Sequence, residues 1–179
     1  LVLDTRSASV FAQGFIPNSV NIGLDSNFAM WVGEMIPDIK QTILLVTEPG
    51  KEEESIIRLS RVGYDNTIGY LDGGFEAWKN AGKEADAVKR ITAEEFAKQY
   101  GDKPLVFDVR KKSEFDSEHV EGAINVPLNR INDHLAEFPK DKPFILHCAG
   151  GYRSMIAASI LKQRGWENFV DVESGFAGI

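Results

Sequence analysis

The stretch Cys148-Ala149-Gly150-Gly151-Tyr152-Arg153-Ser154 sets the only cysteine of the chain before two glycines and an arginine. A thiol in that frame has two readings. One is an inert, buried core cysteine. The other is a nucleophile held by backbone amides. A tight Gly-rich loop can aim successive N–H groups at one point and bind an anion there. A helix starting near Ser154 would add its positive end, and Arg153 a fixed positive charge. All three favour thiolate over thiol, and the thiolate is the attacking form. Gly150 and Gly151 permit backbone angles that a side chain would forbid. A core strand has no use for Ala-Gly-Gly-Tyr-Arg beside it, so the loop favours the nucleophile.

The flanking segments say where this loop sits. Phe144–His147 is an apolar run read as a strand, and Met155–Leu161 carries apolar residues at helical spacing until Gly165. Leu105–Val109, Ala123–Val126 and Phe169–Val172 read as further strands. Thr92-Ala93-Glu94-Glu95 has the form of a capping box, opening a helix that Gly101 closes. Strands alternating with helices predict an α/β fold with a parallel sheet flanked by helices. Ligands of such sheets bind beyond the carboxyl ends of the strands. Cys148 lies at that edge.

The pattern occurs twice. Leu1-Val2-Leu3-Asp4-Thr5-Arg6 aligns with Leu105-Val106-Phe107-Asp108-Val109-Arg110, and Phe11, Asn21 and Leu24 align with Phe115, Asn125 and Leu128. Ile43–Thr47 aligns with Phe144–Cys148, and Gly74-Phe75 with Gly175-Phe176. Two copies of one domain follow, residues 1–86 and 87–179, joined within Gly82–Lys89. The chain begins inside a strand without an initiating Met. It is read as part of a longer polypeptide.

Composition limits the chemistry. The 179 residues are 43% hydrophobic and 26% charged, with net charge −7. That balance suits a globular protein and argues against nucleic acid as a partner. No apolar run is long enough for a membrane span, and none opens the chain as a signal segment. The first copy holds 13 acidic and 7 basic side chains, the second 14 and 13. The copy bearing Cys148 is thus nearly neutral and repels an anion less. One cysteine excludes a disulfide framework and two-cysteine redox chemistry, and suits a reducing cytoplasm. The three histidines are scattered, so no metal-ligand spacing appears and no cofactor is expected.

The second copy resembles a rhodanese domain, the sulfurtransferase module. The likeness rests on Asp108-Val109-Arg110, on the stretch from Glu118 to Pro127, and on the Cys-x-x-Gly-x-Arg loop of Cys148, Gly151 and Arg153. It covers the whole chain, and so implies two rhodanese-like domains. It implies that Cys148 is the nucleophile and takes a sulfane sulfur as a persulfide. Amides from Ala149 through Gly150, Gly151, Tyr152 and Arg153 would hold the sulfur anion, up to Ser154, where the helix begins. Arg153 would bind a small anionic donor such as thiosulfate, and a thiol would be the acceptor. Asp108 and Arg110 match a mainly architectural position and His119 a structural turn. His147 reads as a packed histidine, and His134 as a solvated one.

The first copy departs from the pattern. Thr47 replaces the nucleophile and Glu52 the arginine, with Glu48, Glu53 and Glu54 nearby. A hydroxyl among four carboxylates predicts an inactive copy kept for packing or partner contact. A dead copy before an active one resembles the carboxyl-terminal half of fusions to a metallo-β-lactamase-fold domain, a persulfide dioxygenase or related metal-dependent hydrolase. Any metal would belong to that upstream domain.

Two rivals stand beside sulfur transfer. Cysteine-dependent phosphatases and arsenate reductases use a similar cradle, but their loops resemble Cys-x5-Arg. Here only four residues separate Cys148 from Arg153, enclosing a smaller anion. A non-catalytic interaction module suits the acidic first copy better than the intact second loop.

Overall fold

The computed structural model describes residues 1–25 and 27–179, which form two compact units, Leu1–Ala87 and Val88–Ile179. Each is a parallel sheet flanked by helices.

In the first unit the elements run β1 (Val2–Asp4), α1 (Ala8–Gln13), β2 (Val20–Asn21), α2 (Phe28–Met35), β3 (Ile43–Val46), α3 (Glu52–Ser60), β4 (Thr67–Tyr70) and α4 (Gly74–Asn80). The sheet order is β2-β1-β3-β4, every pairing parallel.

The second unit runs β5 (Arg90–Ile91), α5 (Ala93–Tyr100), β6 (Leu105–Asp108), α6 (Lys112–Ser117), β7 (Ile124–Asn125), β8 (Phe144–His147), α7 (Tyr152–Gln163) and β9 (Phe169–Val172). Short 3₁₀ segments occupy Leu128–Asp133, Leu135–Glu137 and Gly175–Ala177. The sheet order is β5-β9-β8-β6-β7, again parallel throughout. All four residues of β8 are buried, because helices cover both faces of the sheet. Phe107, Phe138, Phe144 and Phe169 pack ring against ring in sequence at centroid distances of 4.5, 5.6 and 5.4 Å.

Strands at Phe144–His147 and Phe169–Val172 fall where the apolar runs predict them, and Thr92 caps α5 through a capping box with Glu95. The helix after Cys148 begins at Tyr152, earlier than Ser154. Its residues Ser154 to Leu161 are all buried, so packing on every side, rather than one apolar stripe, holds it. Helix α6 carries no apolar periodicity and escapes prediction from sequence.

The chain path creates one position of interest. From β6 the chain moves outward to β7, then returns past β6 to β8 and on to β9. The order therefore reverses between β6 and β8, and ligands of open α/β sheets bind at such a switch point. Asp108 and His147 are register partners there, with α6 following one strand and the Cys148 loop the other.

Candidate active site

Cys148 follows β8 directly, and its sulfur accepts a hydrogen bond from the Gly151 amide at 3.2 Å. The loop is fixed from outside by the segment after β9. Phe176 N–H donates to Cys148 O at 2.7 Å and Ala177 N–H to Ala149 O at 3.0 Å. In trans peptides the N–H groups of Ala149 and Gly150 must then point away from that segment.

The two glycines differ. Gly151 has φ +88°, and a Cβ there would lie 2.3 Å from Glu173 O and 2.9 Å from Arg90 Nη2. Gly150 lies outside the left-handed region, and a Cβ would meet nothing within 4 Å. The expectation that both glycines are conformationally required holds for Gly151 alone.

Beneath the loop, Arg90 Nε donates to Asp171 Oδ2 at 2.9 Å and Nη2 to Glu173 O at 3.0 Å. Asp171 is fully buried, which pushes its carboxyl up to about 6 against the pull of Ser154 and Arg90. Ser154 Oγ faces the carboxyl, and neither it nor Asp171 Oδ1 has another hydrogen-bond partner, while Oδ2 takes Arg90. The Arg90–Asp171 support carries no sequence signal, because its members lie 81 residues apart.

Arg153 is in the first turn of α7, within electrostatic reach of Cys148. It does not stand free for a ligand. Its Nη1 and Nη2 donate to Glu114 Oε2 and Oε1 at 2.6 and 2.8 Å. The guanidinium holds the Glu114 carboxyl down at about 2. Sequence reasoning missed Glu114, which lies 39 residues away on the unforeseen α6.

His147 is buried, which lowers its pKa and keeps the ring neutral. Its Nδ1 lies 3.2 Å from Cys148 O, and Nε2 lies 3.9 Å from Asp108 Oδ2 without a hydrogen bond. It packs rather than acting on the thiol. His119 stacks on Phe115 at 4.0 Å, and exposed His134 pairs with Glu137.

The corresponding place in the first unit is built differently. Thr47 follows β3 directly and is buried. Gly50 keeps the left-handed turn at φ +78°, but its amide donates to Glu52 Oε1 at 3.3 Å. Glu48 Oε1 accepts from Ser7 N–H at 3.1 Å. Helix α3 starts at Glu52, so the second helical position, held by Arg153 in the other unit, is Glu53. The picture of a hydroxyl among carboxylates alone is incomplete. Lys51 and Arg58 both reach Glu54, at 2.8 and 3.4 Å, around a cavity of 170 Å³.

The rhodanese-like domain model matches residues 1–81 and again 92–179. The chain belongs to the rhodanese-like domain family. Bacillus subtilis YqhL is 36% identical over 89 residues, covering 50% of this chain and 70% of that one. A sulfurtransferase of Allochromatium vinosum is 27% identical over 90 residues, covering 49% of this chain and 84% of its own. A solved rhodanese-like domain protein of Staphylococcus aureus aligns at 31% identity and TM-score 0.48, covering 51% and 90% of the two chains. Other relatives extend well beyond the match. The chain spans 54% of the Bacillus subtilis sulfur carrier protein YrkF and 22% of the Ogataea parapolymorpha adenylyltransferase and sulfurtransferase uba4. Both rhodanese-like units keep the Asp-x-Arg corner, while only the second keeps cysteine and arginine in its loop. Among the described residues no group of three or more His, Cys, Asp or Glu is placed to hold a metal ion. No helix among them is long and apolar enough to cross a membrane.

Proposed function

We propose that the second unit is a sulfurtransferase that carries sulfane sulfur as a persulfide on Cys148. The observation that carries this reading is the Cys148 sulfur at the switch point, taking a hydrogen bond from the Gly151 amide within reach of Arg153. The names of its relatives, a sulfurtransferase and a sulfur carrier protein, support it.

With thiosulfate as donor, the Cys148 thiolate attacks the outer sulfur. The new bond joins Cys148 Sγ to that sulfur, the donor S–S bond breaks, and its electron pair leaves with sulfite. The Cys148 persulfide, still an anion, then gives its outer sulfur to cyanide or a thiolate, and Sγ recovers the electron pair as thiolate. Splitting the transfer into two displacements is covalent catalysis. A low-molecular-weight persulfide reacts in the same way and releases a thiolate. The first unit, without cysteine or loop arginine, serves as a non-catalytic copy. The chain is read as part of a larger sulfide- or persulfide-metabolising protein whose upstream domain is metal-dependent, on overall likeness alone.

Incubation with thiosulfate should raise the intact mass by one sulfur atom, and Cys148→Ser should abolish both the adduct and turnover. No adduct, or turnover by the serine variant, overturns the reading. One observation favours a second reading: Cys148 is only 1% exposed, as in an inert thiol of a docking module. Rapid alkylation at neutral pH excludes that alternative, and inertness toward both alkylating agent and donor supports it.

A further inference from the structure

The Arg153–Glu114 pair joins the first turns of the two helices that follow β6 and β8. It therefore bridges the crevice at the switch point, where the donor must approach Cys148. Glu114 is also anchored from its own side. Its Oε2 accepts the Lys111 amide at 3.2 Å while accepting Arg153 Nη1. An arginine whose fork is filled by a fixed carboxylate offers an incoming anion far less than a free one, since fork and charge are both engaged.

The other charges near the sulfur do not restore the imbalance. Arg110 is closed onto Asp108, and Arg90 onto Asp171. Burial keeps His147 neutral. Each of these three arginines thus has a carboxylate partner, and Glu114 has the most exposed side chain of the three acids, 35% against 0% for Asp108 and Asp171.

We infer that Glu114 sets the donor class of this site by cancelling the charge of Arg153, so that the loop favours a singly charged persulfide over the thiosulfate dianion. The inference rests on the sulfur-transfer reading. Its step is attack of the Cys148 thiolate on the outer sulfur of R–S–S⁻, giving the Cys148 persulfide anion and R–S⁻, which takes a proton from water. Glu114 touches neither donor nor sulfur, and is a positioning and specificity residue acting through Arg153.

The experiment compares native chain, Glu114→Gln and Glu114→Asp with two donors, thiosulfate and cysteine persulfide. It also records the pH dependence of Cys148 alkylation by iodoacetamide. In Glu114→Gln the ratio of kcat/KM for persulfide over thiosulfate should fall about tenfold, the scale of one unbalanced charge near a partly buried site. Half-maximal alkylation should move about one pH unit lower, because an uncancelled guanidinium stabilises the thiolate. Glu114→Asp keeps the charge and should hold the ratio within about threefold of native.

An unchanged ratio in Glu114→Gln overturns the inference. So does a parallel loss with both donors and an unmoved alkylation profile, the signature of a carboxylate that only holds the helix in place. If the native chain takes sulfur from neither donor, the sulfur-transfer reading fails and the donor-class claim with it. The alkylation profile then still decides whether Glu114 cancels Arg153 at the sulfur, so the two failures are distinguishable.

Discussion

Arg110 grips Asp108 from two residues away, Nε at 3.0 and 2.8 Å from the two carboxylate oxygens and Nη2 at 2.7 Å from one of them. The first unit repeats this with Arg6 and Asp4, at 2.9, 3.1 and 2.6 Å. In each unit an asparagine, Asn125 or Asn21, donates to both backbone carbonyls of the pair. Each guanidinium then lies over a phenylalanine, Phe176 at 3.9 Å and Phe75 at 4.6 Å. A network present equally in the copy without a cysteine is built for the fold, not for sulfur.

Removing one partner of such a buried pair strands the other charge. Arg110→Ala and Arg6→Ala are each expected to destabilise their own unit by about 3–5 kcal/mol. Urea unfolding of the two variants measures this. Arg6→Ala should leave Cys148 alkylation and sulfur transfer at the native level in folded protein. A catalytic loss in Arg6→Ala would contradict the purely architectural role.

The loop glycines give a sharper test. Gly151→Ala forces a Cβ onto Glu173 O and Arg90 while demanding a left-handed backbone of a residue that avoids it. Strain of this kind costs about 1–3 kcal/mol before the clash is counted. Sulfur transfer should be lost, because the Gly151 amide moves off the sulfur. Gly150→Ala should fold and turn over within about threefold of native, since surface substitutions free of special backbone angles change stability little. Equal damage from both would show that the loop needs glycine for a reason other than φ.

How much of this was legible in the sequence depends on the range of the interaction. The Asp108–Arg110 corner, the Thr92–Glu95 cap and the strand before Cys148 are local, and propensity and spacing specify them. Glu114 and Arg90 are not: each meets its partner only after the chain has crossed the sheet. Helix α6 hides Glu114 further, because its six residues Lys-Ser-Glu-Phe-Asp-Ser show no apolar stripe to announce a helix. The early start of α7 is hidden for a related reason. A helix buried on all sides has no polar face to set its phase.

Asp171 makes stability depend on pH in a defined direction. Burial raises its carboxyl from 3.8 to about 6, so the protonated form is the better-tolerated one in the folded chain. A raised acid contributes stability below its unfolded value and loses it as pH climbs through the folded one. The native chain should therefore lose stability relative to Asp171→Asn between about pH 4 and pH 7. Thermal melts of the two proteins across that window give the difference directly. A difference that shrinks as pH rises would mean that Arg90 outweighs the burial.

The first unit should not become an enzyme when given a sulfur. Thr47→Cys in a Cys148→Ser background places a thiol directly after β3, where Gly50 already supplies the left-handed turn. The amide that would serve that sulfur is taken, however. Gly50 N–H donates to Glu52, whereas its counterpart Gly151 N–H donates to Cys148. Glu48 occupies the Ser7 amide, and Lys51 and Arg58 are drawn to Glu54. The loop is filled by its own carboxylates, which disfavour a thiolate and repel an anionic donor. With the preorganised donors engaged, cyanide-dependent turnover should stay about 100-fold or more below that of the native second unit. Adding Glu52→Gln to Thr47→Cys should weaken that block, and the gain should appear first as faster alkylation of the new thiol. Turnover near the native rate in the Thr47→Cys variant alone would show that the missing nucleophile was the whole defect.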